Sequence, residues 1–150
     1  MSITVYSVRE ANRLLPRVGE AVRRIQQTAH EVVRAQDRAS VLTLIGGRDP
    51  GSPEHAELLQ RRRDLEESVT AYQIRLGELQ KLGCILKDLN LGVVDFYGRK
   101  KNRLVFLCWK LGEKRISYWH DLDAGFAGRR PIRELRGAQE EREEEEEEGP

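Results

Sequence analysis

A chain of 150 residues, 39% hydrophobic and 34% charged, is long enough for one domain with a modest core. It is too polar to span a bilayer, since no apolar run approaches the roughly 20 residues of a membrane helix. The net charge of +1 conceals an asymmetry: the last 13 residues, AQEEREEEEEEGP, hold eight Glu and one Arg, which leaves +8 on residues 1–137.

Cys84 and Cys108 are too few for a disulfide framework and lack CxxC spacing. The N-terminal MSITVYSVREANRLLP has no basic region followed by an apolar stretch, so no secretion signal is expected. A reduced, cytoplasmic protein without membrane partners follows as the expectation.

Ser7-Val8-Arg9-Glu10 fits a capping box, with the Ser side chain meeting the third amide of a helix and the Glu reaching back. Pro16 removes a backbone donor and disfavours helix at Leu15, which predicts a kink or a restart there. From Val18 the seam Val18, Val22, Ile25, Ala29, Val32, Gln36, Ala39 and Thr43 steps by four and three, a heptad pattern that weakens at Gln36 and Thr43. The stretch GGRDPGSP over 46–53 breaks the helix. A second seam follows at Leu58, Arg62, Leu65, Val69, Tyr72, Leu76 and Leu79, with Gly83 as C-terminal cap. Two arms of similar length joined by a turn read as an antiparallel coiled-coil hairpin over about 8–83. Val33, Leu42 and Leu44 lie off the seam, where they could pack on the β-rich part or form a homodimer through the hairpin.

After Gly83 the pattern shortens to β-rich runs, over about 84–132. Residues 84–92 read as an irregular connector. Val93–Tyr97, Arg103–Trp109 and Arg115–His120 read as strands of a three-stranded antiparallel meander, with turns at 98–102 and 110–113. The fold class is therefore α+β, one domain over 1–137, with a disordered acidic tail over 138–150. If Tyr97 faces Arg103, and Trp109 faces Lys114, then Asp95, Val105 and Tyr118 share one row and Tyr97, Arg103 and His120 the next. That register puts Cys108 and His120 on opposite faces.

His120-Asp121-Leu122-Asp123 brings one imidazole and two carboxylates into one loop, near Asp95. Asp95, His120, Asp121 and Asp123 are therefore the catalytic candidates, since His suits proton transfer near neutral pH. His120, Asp121 and Asp123 are candidates for a divalent metal, at a spacing that matches no strong motif. Two clusters, Arg99, Lys100, Lys101 and Arg103 at the first turn and Arg129 and Arg130 after the sheet, are candidates for anion binding. No P-loop, dinucleotide fingerprint, GxSxG or HExxH is present.

Three blocks, YSVREANRLLP, LGCILKDLNLGVVDFY and LCWKLGEKRISYWHDLDAGFAGRRPI, carry a resemblance over about 5–132. In these the chain resembles an uncharacterised bacterial family, domain of unknown function 2203. The resemblance implies a small cytosolic protein with a helical hairpin and a β-rich end, and it supplies no mechanism. The residues themselves lead to a non-enzymatic binding module for a phosphate-rich partner such as RNA or another polyanion, because a basic body presents clustered cations. The alternatives are a metal-dependent or acid/base enzyme built on the Asp/His cluster, and an interaction protein acting through its hairpin.

Overall fold

The computed structural model describes residues 3–135. The tail expected at 138–150 lies outside the described residues. Helix α1 spans Val8–Leu44 and helix α2 His55–Lys81; strands β1 to β5 span Cys84–Asp88, Val93–Lys100, Arg103–Lys110, Tyr118–His120 and Arg130–Pro131. No helix among the described residues is long and apolar enough to cross a membrane. The described residues form two compact units, residues 3–20 with 79–135, and residues 21–78.

The capping box stands as the sequence predicts: the Glu10 amide donates to Ser7 Oγ at 3.1 Å and the Ser7 amide to Glu10 Oε1 at 3.3 Å. The break expected at Pro16 does not occur: α1 runs through it. Ala11, Leu15 and Val18 are all buried across that point, and this burial opposes the roughly 3 kcal/mol that an interior proline costs a helix.

In the unit of residues 21–78 the buried positions of α1 are Ala21, Val22, Ile25, Thr28, Ala35, Ala39 and Leu42. The column 21–28–35–42 therefore replaces the expected 29–36–43. Gln36 is exposed, since a buried amide without partners would be costly. Thr28 donates its hydroxyl to the carbonyls of Arg24 and Ile25, both at 3.0 Å. Leu42, expected off the seam and able to pack on the β-rich part or on a second subunit, is instead packed with Ala39 and Leu58, whereas Val33 and Leu44 are exposed. In the connection, the Gly47 amide donates to the Leu42 carbonyl at 2.8 Å, and His55 Nδ1 lies 2.8 Å from the Gly47 carbonyl oxygen.

The other unit holds an antiparallel sheet of five strands in the order β1-β2-β3-β4-β5, not three. The stretch expected as a connector supplies β1, and the two-residue β5 closes the other edge. Gly83 takes φ +83 after α2, and a side chain there would collide with the Tyr6 hydroxyl, which donates to the Leu82 carbonyl at 2.8 Å. Tyr6 also meets Phe96 edge-on, with ring centroids 5.5 Å apart.

Both hairpins differ from the expected register by three residues. Asp95 faces Cys108 and Phe96 faces Leu107; Cys108 faces Tyr118 and Phe106 faces His120. In the first hairpin, Gly98 belongs to the strand and not to the turn. A Cβ there would approach Leu107 to 2.8 Å, so glycine is what admits that buried leucine. The turn tightens to Lys101-Asn102, with Lys101 at φ +55. In the second, the turn at 110–113 forms as predicted, with the Glu113 amide donating to the Lys110 carbonyl at 3.0 Å. Residues 114–117 then leave the ladder. Ile116 is buried there and its amide donates to Asn12 Oδ1 at 2.7 Å, so the third expected strand starts only at Tyr118.

Candidate functional site

A slip by an odd number of residues exchanges the faces of a strand. One consequence is that Asp95 on β2, Cys108 on β3 and His120 on β4 stand on the same face of three adjacent strands. The expectation that Cys108 and His120 point to opposite faces is thereby overturned. One ligand-type atom from each of the three residues lies within 4.8 Å of the others. All three are core residues, with exposures of 1% for Asp95, 0% for Cys108 and 2% for His120.

The hydrogen bonds fix the proton inventory. His120 Nδ1 lies 2.8 Å from the Asp121 carbonyl oxygen. That oxygen can only accept, so Nδ1 carries a proton. His120 Nε2 lies 3.1 Å from Asp95 Oδ2. One proton lies between these two atoms, and both ring nitrogens of His120 are engaged within the protein. Asp95 Oδ1 is different: it is buried and has no hydrogen-bond partner among the described residues. Burial pushes the Cys108 thiol up to about 12; the Asp95 carboxylate pushes the same way and Arg129 pulls against it.

Asp95 and His120 of this cluster border a cavity of about 330 Å³. Lys87, Asp88, Val93, Asp95 and His120 come from the sheet, Leu91 from the β1–β2 connection, and Ala124, Gly125 and Phe126 from the stretch after β4. The Lys87 ammonium stands 4.5 Å from the centre of the Phe106 ring, and Asp88 Oδ1 accepts the Leu91 amide at 2.8 Å. The boundary is thus mixed, with apolar side chains and a cation around a floor that holds the Asp95–His120 pair.

Asp121 and Asp123 are not brought into the cluster. The Asp121 carboxylate pairs with Arg103 at 2.7 Å, and only its backbone carbonyl serves His120. Asp123 is exposed. Cys108 is the member that the sequence reading missed. The only signal for it was the register, and the turn that sets the register has Lys101 at the left-handed position, where glycine or asparagine would have marked it.

The six cations proposed for anions separate into two groups. Arg129 is committed to the fold. Its guanidinium donates to both oxygens of Glu113, at 2.5 and 3.2 Å, and to the Cys108 carbonyl at 3.1 Å. It also lies 4.2 Å from the Tyr118 ring centre and 4.6 Å from that of Phe126. Burial opposes its charge, but Glu113 holds its pKa above the ordinary value. Arg103 pairs with Asp121, Arg130 with Glu134 at 2.9 Å, and Lys100 stands 4.6 Å from the centre of the Trp119 ring. Arg99 and Lys101 have no ion pair among the described residues and line a second cavity, of about 500 Å³, with Ser7, Val8 and Leu135 among its walls.

No curated protein and no solved structure matches the chain. A family model does match, over residues 4–132, a span that includes all of β1 to β4 and every member of the Asp95, Cys108 and His120 cluster. The chain belongs to that family, an uncharacterised conserved protein family designated DUF2203.

Proposed function

We propose that this protein binds a small molecule in the cavity over Asp95 and His120, and that Asp95, backed by His120, exchanges a proton with it. The observation that carries this reading is Asp95 Oδ1, buried and without a hydrogen bond while Oδ2 is held by His120. A buried acceptor left unpaired costs about 1–3 kcal/mol, and a ligand's donor removes that cost. Because His120 has no free nitrogen, Asp95 is the group that meets the ligand, and His120 holds its other oxygen. A carboxyl positioned in this way supports general acid or base catalysis. The mixed boundary suits a molecule with an apolar part and one polar group.

A thermal-shift screen of small carboxylic acids, amides and phosphate esters tests this on the full chain and on Asp95→Asn. Asn keeps the shape and can donate to His120 Nε2, but it cannot exchange a proton. Hits that raise the wild-type Tm and lose their effect in the variant support the reading; hits that stabilise both proteins equally refute it.

A second reading is anion binding at Arg99 and Lys101. What supports it is that these two, unlike Arg103, Arg129 and Arg130, carry no ion pair among the described residues. RNA and DNA titrated at several salt concentrations test it. Affinity that falls with salt, and falls again in Arg99→Ala with Lys101→Ala, supports it; an affinity unchanged by those substitutions removes it.

A further inference from the structure

We infer that Asp95, Cys108 and His120 together hold one divalent transition-metal ion of the zinc class, with its remaining position toward the cavity. The inference rests on the reading that this cavity is the functional site; with the ion bound, Asp95 is a ligand, and the small molecule meets the ion's open position in place of the Asp95 proton. Three adjacent strands each present one donor, of three different kinds: carboxylate oxygen, sulfur and imidazole nitrogen. A tetrahedral ion with bonds of about 2.0–2.3 Å needs its ligand atoms roughly 3.3–3.8 Å apart. Nε2 and Oδ2 stand at 3.1 Å and the whole set within 4.8 Å, close to that range.

Two independent features point to a cation. Asp95 Oδ1 is a buried oxygen without a partner. His120 Nδ1 is held by a backbone carbonyl at 2.8 Å, the support that orients an imidazole to ligate through its other nitrogen. Charge is balanced on binding: the ion displaces the proton shared by Asp95 and His120 and the thiol proton of Cys108, so two positive charges leave as one doubly charged ion enters. The nearby cation, Arg129, is neutralised by Glu113. The thiolate selects zinc-class ions over magnesium and calcium, and three protein ligands leave one coordination position open. Asp95 and His120 line the cavity, so the open position faces it.

The test is a Co2+ titration of the reduced, untagged full-length chain, followed in the near ultraviolet and the visible. The expected result is one ion per chain with an intense sulfur-to-cobalt charge-transfer band, displaced by Zn2+. Cys108→Ser removes the band and weakens Co2+ binding by more than the roughly 10–100-fold typical of losing a supporting residue; Cys84→Ser keeps both. The acidic tail holds no cysteine, so any Co2+ taken up there gives no thiolate band and does not imitate the site. Absence of stoichiometric binding by the wild type, or a spectrum unchanged in Cys108→Ser, overturns the inference. The thermal-shift screen is run free of metal, so a protein that fails with Co2+ yet shows Asp95-dependent hits loses the ion and keeps the small-molecule site.

Discussion

His120 Nε2 lies 3.1 Å from Asp95 Oδ2, and both residues are buried at the edge of the cavity they line. Such a pair responds differently to the loss of each partner. His120→Ala leaves a buried carboxylate alone, and removing one partner of a buried pair costs about 3–5 kcal/mol. Asp95→Asn retains a donor for Nε2 and should cost about 1 kcal/mol or less. Urea denaturation of both variants measures the difference; equal costs would mean that the hydrogen bond is not what holds the pair.

Gly98 sits in β2 with Leu107 where its Cβ would be. Gly98→Ala should therefore destabilise by about 1–3 kcal/mol through overpacking. The same substitution in a Leu107→Ala background should cost much less, because the two sites share one volume. A double-mutant cycle by chemical denaturation reads the coupling, and additive effects would contradict the observed register.

Arg129 is held by Glu113 on two nitrogens and by the Cys108 carbonyl, and it lies against two aromatic rings. Lysine cannot reproduce that planar fork. Arg129→Lys should lower stability by about 2–3 kcal/mol, whereas Arg99→Lys leaves the melting temperature unchanged. Differential scanning calorimetry checks both, and a neutral Arg129→Lys would free this residue for the anion role that its pairing argues against.

Burial pushes the Cys84 thiol from its ordinary 9.0 up to about 12. A pKa raised by folding contributes stability that is present below the unfolded value and lost as pH rises through the folded one, here between about 9 and 12. Unfolding free energy should fall with pH in that window, by about 1.4 kcal/mol per pH unit for this one group. Cys84→Ala should remove that share of the slope. Urea melts from pH 8 upward test it; parallel slopes would show that Cys84 titrates alike in both states.

Much of the fold was legible where one residue type has one physical use. Ser7 and Glu10 cap a helix, Gly83 ends one, and the 110–113 turn forms where Gly112 permits it, at φ +102. The helix seam was legible at Val18 and Ile25, and it was misjudged at Gln36, which is exposed, and at Thr43, which is half-buried. The sheet was legible as β structure but not in register. Gly98 reads equally as a turn residue or as space for Leu107, and only the tertiary packing chooses. Nor could the sequence show that Asn12, 104 positions away, takes the amide of Ile116 and delays β4. Those two events move Cys108 onto the face of Asp95 and His120. The candidate pair was visible in the sequence, and its third member was not.

Where a small molecule binds decides between the two cavities. Assigned amide resonances of the full-length protein, recorded while hits from the thermal-shift screen are titrated in, give that location directly. Binding over Asp95 gathers the shifts at Leu91, Val93, Asp95, His120 and Gly125, around the cavity of about 330 Å³, and they are lost in Asp95→Asn. Shifts gathered at Ser7, Arg99, Lys101 and Leu135, around the second cavity, or shifts that persist unchanged in Asp95→Asn, would contradict it.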